Sequence, residues 1–476
     1  MASMYTHFVE KGYQLLSKTT PCSAWSHFQE LQANQWLSYE QLCEIRWKRL
    51  KKLLDFTYEN IPYYRKLWKQ HGVDPRVFTS LGDIVNLPVV SKKELTEAQE
   101  NDGFLLSRRG RYEVAYTSGT TEERFCIPFT FSSFQKKYAN YLRQVYASGW
   151  RLGMKSATLH YSGHTQFKGK YSGRTGDREP FVKFRETALS VAHRRLVLTP
   201  YYETASGNEA FAQEWYWQLK GYSPYMFETM DFNLLVLKDY IERNGLPHLS
   251  IPKTYVLGTY SCKLRSSLEE FFNTEIFNRY SPHEIEGVAL SCQVHKAMHM
   301  AIDSYHMEFL DEHNNPVGPE EPGFIVVTDL DNDLMPLIRY KGGDLGHYYE
   351  NGCTCSRGLP LMGEIDGRAR DVFSLKNGTR VAPAAIAAIL QDEPAVILFQ
   401  VVQNRSNEIT VKIVPNQSLF SSQVSERVKT RLSNLLGTDE TISIALVTHI
   451  GLESNGKCSF VKREEPGEAN KESVER

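Results

Sequence analysis

A chain of 476 residues has room for about three folding units at roughly 150 residues each, or for one large domain and a small one. Hydrophobic residues make up 41%, charged residues 23% and aromatic residues 12%, which excludes the disordered and fibrous classes. Lys and Arg total 55 against 56 Asp and Glu, a formal net charge of -1, so no global field marks nucleic acid or an anionic membrane as the main partner. The N-terminal residues show no basic stretch followed by an apolar one, and nowhere do about 18 apolar residues run together. A cytoplasmic location is expected. Eight cysteines are too few for a disulfide scaffold, and only Cys353 and Cys355 sit close together.

Along the chain, Leu42, Ile45, Leu50, Leu53 and Leu54 recur at helical spacing, and Ser38 with Gln41 fits a capping box at the start of that helix. Pro62, Pro75 and Pro88 punctuate the next stretch into short helices joined by turns. The glycine-rich, basic stretch from Ser162 to Pro180 lacks apolar periodicity and predicts a long mobile loop. Phe211 to Lys220 and Asp231 to Asn244 read as helices, whereas TYVLGTY, EIFNRY and GFIVVTDL read as buried strands. That alternation predicts an α/β body. Past Arg368 the pattern becomes AVILFQVV, EITVKIV, the helical SQVSERVKTRLSNLL and TISIALV, a compact α+β unit. The expected organisation is a large domain over 1–366 with a helical layer over 1–110, a small domain over 367–462 and a disordered polar tail over 463–476.

The strongest local signal is YTSGTTEER, Tyr116 to Arg124. Small and hydroxylated residues let backbone N–H groups and hydroxyls converge on phosphate oxygens, where bulkier residues would block the approach. A polar turn between a strand and a helix would show the same run. GLESNGKCS imitates a nucleoside-triphosphate loop through Gly451, Gly456 and Lys457, but Cys458 replaces the hydroxyl that must hold Mg²⁺. His283-Glu284 begins a zinc-protease pattern that fails because Gly287 stands where the second histidine belongs.

Taken in order, YTSGTTEER, NRYSPHEIEG, PLIRYKGGDLG, IDGRARD and ESNGK resemble the successive motifs of the adenylate-forming superfamily, which holds acyl-CoA synthetases, adenylation domains and luciferases. The segments IPYYRKLWKQHGV, LPVVSKKEL, CTCSRGLP and TDLDNDLMPLIRY resemble its phenylacetate-CoA ligase-like branch, CapK-like relatives included. The resemblance implies a multi-layer adenylate-forming domain followed by a small mobile one, using ATP and Mg²⁺. Thr117, Ser118, Gly119, Thr120 and Thr121 match the phosphate loop, Tyr280 the aromatic beside adenine, and Glu284 the carboxylate that helps bind Mg²⁺. Asp344 matches the acid that holds the ribose hydroxyls and Arg368 the arginine that reaches ribose or phosphate; Arg370 falls at the hinge. Lys457 matches the mobile lysine that enters the site during adenylation, where a cation offsets charge developing at the α-phosphate.

Three departures stand out: Glu122 and Glu123 follow the phosphate loop, Pro282 stiffens the segment after Tyr280, and Arg370 replaces a hinge Asp or Lys. The branch also resembles this chain in pairing a cysteine and a histidine after the adenine motif with two cysteines before the hinge. That implies a structural Zn²⁺ on Cys292, His299, Cys353 and Cys355, with His295 as the alternative to His299. His164, Phe167, Tyr222 and Phe227 fall where relatives build the acid pocket, although core or loop roles fit them better. The expected reaction is adenylation of a small-molecule carboxylic acid and acyl transfer to coenzyme A. An amine acceptor, AMP transfer to a hydroxyl and a non-catalytic nucleotide-binding relative stay open, and a homodimer is compatible with the sequence.

Overall fold

The structure, a computed structural model, describes residues 4–19, 23–106, 112–116, 125–159, 194–198, 207–282, 284–294, 297–451 and 458–464. The expected phosphate loop, the stretch Ser162–Pro180 with His164 and Phe167, Lys457 and nearly all of the terminal tail lie outside them.

The N-terminal layer is helical as the spacing predicts. Helix Tyr39–Asn60 opens with the Ser38–Gln41 capping box, and Leu42, Leu50, Leu53 and Leu54 line its buried face. Helix Pro62–Gln70 begins with proline in its first turn, where the missing N–H costs nothing. Tyr64 and Trp68 carry that helix onto the core, and the Tyr64 hydroxyl both donates to the Pro336 carbonyl at 2.8 Å and accepts from the Ile338 N–H at 3.1 Å. The layer covers a five-stranded sheet in which Tyr305–Leu310, Gly323–Asp329 and Tyr340–Gly346 run antiparallel.

The second sheet has nine strands. Five of them, Ser156–Leu159, Arg195–Val197, Met226–Met230, Lys253–Leu257 and Glu275–Tyr280, run parallel to one another. Helices Gly207–Tyr222, Asp231–Arg243 and Cys262–Phe271 pack on one face, and helices Ala24–Asn34 and Phe131–Ala147 on the other. Strands covered on both faces read as continuous apolar runs, which is why TYVLGTY and EIFNRY are legible. Two antiparallel strands, Glu113–Tyr116 and Cys126–Phe129, pair Tyr116 with Cys126, so the phosphate-loop segment joins two strands rather than a strand and a helix.

Gly367–Arg368 still pairs with Tyr340–Gly346, Asp344 opposite Arg368, before the chain enters the C-terminal unit. There the sheet order is Ile442–Leu446, Ile409–Pro415, Val396–Gln403, Val461–Arg463. Helix Ser422–Leu436 covers it through Val428 and Leu432. Helix Pro383–Gln391, the short pair Phe373–Ser374 with Arg380–Val381, and the strand Val461–Arg463 have no clear sequence signal, being short or held by nonlocal contacts. Leu398 and Ile450 join the apolar core that includes Leu234 and Leu237 of helix Asp231–Arg243, so the C-terminal unit is docked on the body.

Candidate active site

Where the two units meet, a cavity of about 810 Å³ is lined by Tyr280, Glu284, Asp344, Arg368 and Arg370 together. Residues as far apart in sequence as Tyr280 and Arg370 converge because Glu275–Tyr280, Tyr340–Gly346 and Gly367–Arg368 end at the same place. The Tyr280 hydroxyl donates to Asp344 Oδ2 at 3.0 Å, and the Arg368 Nε lies 3.8 Å from Asp344 Oδ1. The Tyr340 hydroxyl donates to Glu284 Oε1 at 3.1 Å, while the ring of Phe125, the first described residue after the phosphate-loop segment, stacks on Tyr340 at 6.1 Å.

The turn that presents Glu284 is strapped to helix Phe131–Ala147. Lys137 Nζ donates to the Glu284 carbonyl at 3.1 Å and lies 3.6 Å from buried Asp329. Gly287 has φ +76°, and a Cβ there would meet Asn140 at 3.0 Å, so glycine is required where turn and helix touch. Burial raises the Glu284 carboxyl above its usual range, and the nearby charge of Asp344 adds to this. A divalent cation beside it would reverse that balance. Gly367, φ +128°, lets Pro383 approach to where any Cβ would collide, which packs the start of helix Pro383–Gln391 against the strand end.

Cys458, Ser459 and Phe460 form part of the cavity wall. Lys457, their neighbour in sequence, lies outside the described residues, as do Thr117, Ser118, Gly119, Thr120 and Thr121. Two further lining residues, Asn278 and Glu364, have no signal in the sequence. Glu364 accepts a hydrogen bond from Asn278 Nδ2, and burial pushes its carboxyl up to about 7. An acid next to the IDGR motif with a polar residue on a distant strand shows no characteristic spacing. The aromatics suggested for the acid pocket have other contacts: Phe227 is fully buried in the core, and the Tyr222 hydroxyl donates to the Arg194 carbonyl.

A second cluster is formed by other residues. Ligand atoms of Cys292, His299, Cys353 and Cys355 all fall within 4.8 Å of one another. His299 Nδ1 faces the Leu359 carbonyl at 3.0 Å, which assigns the proton there and leaves Nε2 toward Cys355 Sγ at 3.3 Å. Burial lowers His299 to about 4, so the imidazole is neutral, as a metal ligand must be. His295 lies outside the described residues.

Residues 373–464 match the family described as the CapK C-terminal domain. Over 398 residues the chain is 26% identical to the phenylacetate-coenzyme A ligase of Thermus thermophilus, covering 81% of this chain and 84% of that one. It is 24% identical over 445 residues to the Pseudomonas putida phenylacetate-coenzyme A ligase, covering 90% and 93%. The chain is thus similar, over most of its length, to adenylate-forming ligases of the phenylacetate-CoA ligase-like branch. Its fold matches that of 2-hydroxyisobutyryl-CoA ligase in the postadenylation state in complex with R3-HIB-AMP, with a TM-score of 0.73 at 18% identity over 90% of this chain and 91% of that one. Anthranilate CoA ligase in complex with anthranoyl-AMP gives a TM-score of 0.54 at 15% identity over 73% and 64%. Similarity to the branch agrees with the α/β body and α+β C-terminal unit described above, and among the described residues no helix is long and apolar enough to cross a membrane.

Proposed function

We propose that this ligase activates a carboxylic acid with ATP and then passes the acyl group to coenzyme A. The observation that carries the proposal is the convergence of Tyr280, Glu284, Asp344, Arg368 and Arg370 on one cavity between the two units. In the first step a substrate carboxylate oxygen bonds to the α-phosphorus and the bond to pyrophosphate breaks, leaving acyl-AMP. In the second, the sulfur of coenzyme A bonds to the acyl carbon and AMP leaves with the electron pair of the broken C–O bond.

The chain's residues divide this work. Tyr280 offers its ring to the adenine and keeps Asp344 aimed through its hydroxyl. Asp344 accepts from the ribose hydroxyls, and Arg368 opposite it in register meets ribose or phosphate. The phosphate loop from Thr117 to Thr121, with Gly119 at its centre, surrounds the triphosphate. Glu284, a buried carboxyl beside the charge of Asp344, is suited to hold Mg²⁺, whose charge would favour departure of pyrophosphate. Lys457 supplies the second cation. Residues 1–366 act as the body and 367–462 as the unit that turns about Arg370, exchanging Lys457 for an acceptor-facing surface between steps. Cys292, His299, Cys353 and Cys355 would hold a structural Zn²⁺, since four protein ligands leave no position for water.

Pyrophosphate release from ATP across a panel of acids, with and without coenzyme A, tests the reading. Lys457→Ala should lose release by at least a hundredfold while still binding ATP. Acid-dependent release with no thioester by mass would replace coenzyme A by an amine or hydroxyl acceptor, and undiminished release in the Lys457→Ala variant would overturn the role given to that lysine.

A further inference from the structure

The C-terminal unit grips a loop of the cavity wall through one side chain. Gln391 ends helix Pro383–Gln391 and lines the cavity with Gly258, Thr259, Tyr260 and Ser261 of the body. Its Oε1 accepts from the Ser261 N–H at 2.6 Å, and its Nε2 donates to the Thr259 carbonyl at 3.0 Å. A backbone donor on one side of the amide and a backbone acceptor on the other fix which way it points. Ser261 is the N-cap of helix Cys262–Phe271, where its hydroxyl accepts from the Leu264 N–H at 3.1 Å. Its own N–H falls outside the helical bonding and is left to Gln391.

Both ends of this clasp are anchored. Arg427 holds Glu393 with bonds of 2.8 and 2.9 Å, and Arg431 Nη1 donates to the Ile389 carbonyl at 3.1 Å, so the helix that presents Gln391 is tied to helix Ser422–Leu436. On the body side the Tyr260 hydroxyl donates to the Asp231 carbonyl at 2.5 Å, and Thr259 Oγ1 to the Ile365 carbonyl at 3.3 Å. Within the C-terminal unit, Gln400 Nε2 donates to the Ser459 carbonyl at 3.1 Å and the Val401 N–H to the Phe460 carbonyl at 2.8 Å. The segment that follows Lys457 is thus carried on the same framework as Gln391, and with Gln391 seated, Cys458, Ser459 and Phe460 stand in the cavity wall. The apolar contact of Leu398 and Ile450 with the body is non-directional, and the ion pair of Arg380 with Glu312 at 3.0 Å is exposed on both sides. The clasp, by contrast, is satisfied in one arrangement of the units.

We propose that Gln391 is a positioning residue that selects the arrangement in which Lys457 enters the cavity, favouring adenylation over the second step. This rests on the reading in which the C-terminal unit turns about Arg370, since such a turn parts Gln391 from Thr259 and Ser261. A neutral hydrogen bond shifts an equilibrium by roughly twofold to tenfold, so losing both bonds should cost the first step about tenfold.

The test separates the half-reactions. Pyrophosphate release with the acid that supports it best reads the first, and thioester formation from the matching synthetic acyl-AMP and coenzyme A reads the second. Gln391→Glu keeps the shape but sets an acceptor against the Thr259 carbonyl, and Gln391→Leu removes both bonds. Each variant should slow acid-dependent release about tenfold and leave thioester formation unchanged or faster, with the circular dichroism of the unmodified protein. Amide hydrogen exchange across 458–460, which needs neither acid nor acceptor, should rise in both. If coenzyme A is not the acceptor, release and exchange alone decide. Equal slowing of the two steps, unaltered release or unmoved exchange would overturn the inference while leaving adenylation standing. Release with none of the acids would overturn the adenylation reading, and this inference with it.

Discussion

Replacing Glu364 by glutamine should stabilise the protein above neutral pH and leave it nearly unchanged in acid. Burial raises the Glu364 carboxyl to about 7 from an ordinary 4.5, while Arg265 at 4.0 Å and the Asn278 amide pull it down without prevailing. The native state therefore holds this proton more tightly than the unfolded chain. Between pH 4.5 and 7 the native state binds more protons, so stability falls as pH rises, and the loss is complete above about pH 7. The gap between those values, at ~1.36 kcal/mol per pH unit, bounds the penalty at ~3.4 kcal/mol. The side chain is 33% exposed, and solvent screening reduces the figure to about 1.5–2 kcal/mol. Glutamine keeps an oxygen for Asn278 Nδ2 and never ionises. Thermal unfolding of both proteins from pH 4 to 8 should show curves that coincide near pH 4 and separate to ~2 °C by pH 8, using an unfolding entropy of ~2.1 cal/mol/K per residue. A gap that stays constant with pH, or a variant less stable at pH 8, would refute the reasoning.

Tyr280→Phe removes the donor to Asp344 and should raise the KM for ATP about tenfold, in line with ~1.5 kcal/mol for a hydrogen bond to a charged group, with steady-state kinetics as the check. Purified protein should carry about one zinc per chain, and Cys355→Ser should carry less than half of that by elemental analysis; full zinc in the variant would remove Cys355 from the site. Arg143 donates twice at 2.9 Å to Asp303 in the interior, so Arg143→Met strands a buried carboxylate and should destabilise by ~3–5 kcal/mol in urea titrations. A loss below about 1 kcal/mol there would mean that Asp303 is satisfied by Asn34 and by water.

The elements most legible in the sequence are those whose signal is local. The Ser38–Gln41 capping box, the leucines of Tyr39–Asn60, the apolar runs of the parallel strands and helix Ser422–Leu436 each announce themselves within a few residues, because capping and one-sided burial act over one or two turns. The ordered motifs likewise carry the family, and with it Tyr280, Glu284, Asp344 and Arg368 as candidates.

The sequence alone pointed to the helical layer, the α/β body, the α+β C-terminal unit and the candidate residues Tyr280, Glu284, Asp344 and Arg368. Only the tertiary structure decided which side chains share a wall. Strand register sets Asp344 opposite Arg368, the meeting of strand ends brings Glu364 to Asn278, and the sheet packed on helix Phe131–Ala147 gathers Arg195, Glu228 and Arg279. Those neighbours come from segments tens of residues apart, and burial is what gives them their altered proton affinity and unmet donors. Neither quantity exists in an extended chain, since both arise from water removed when distant strands close on one another.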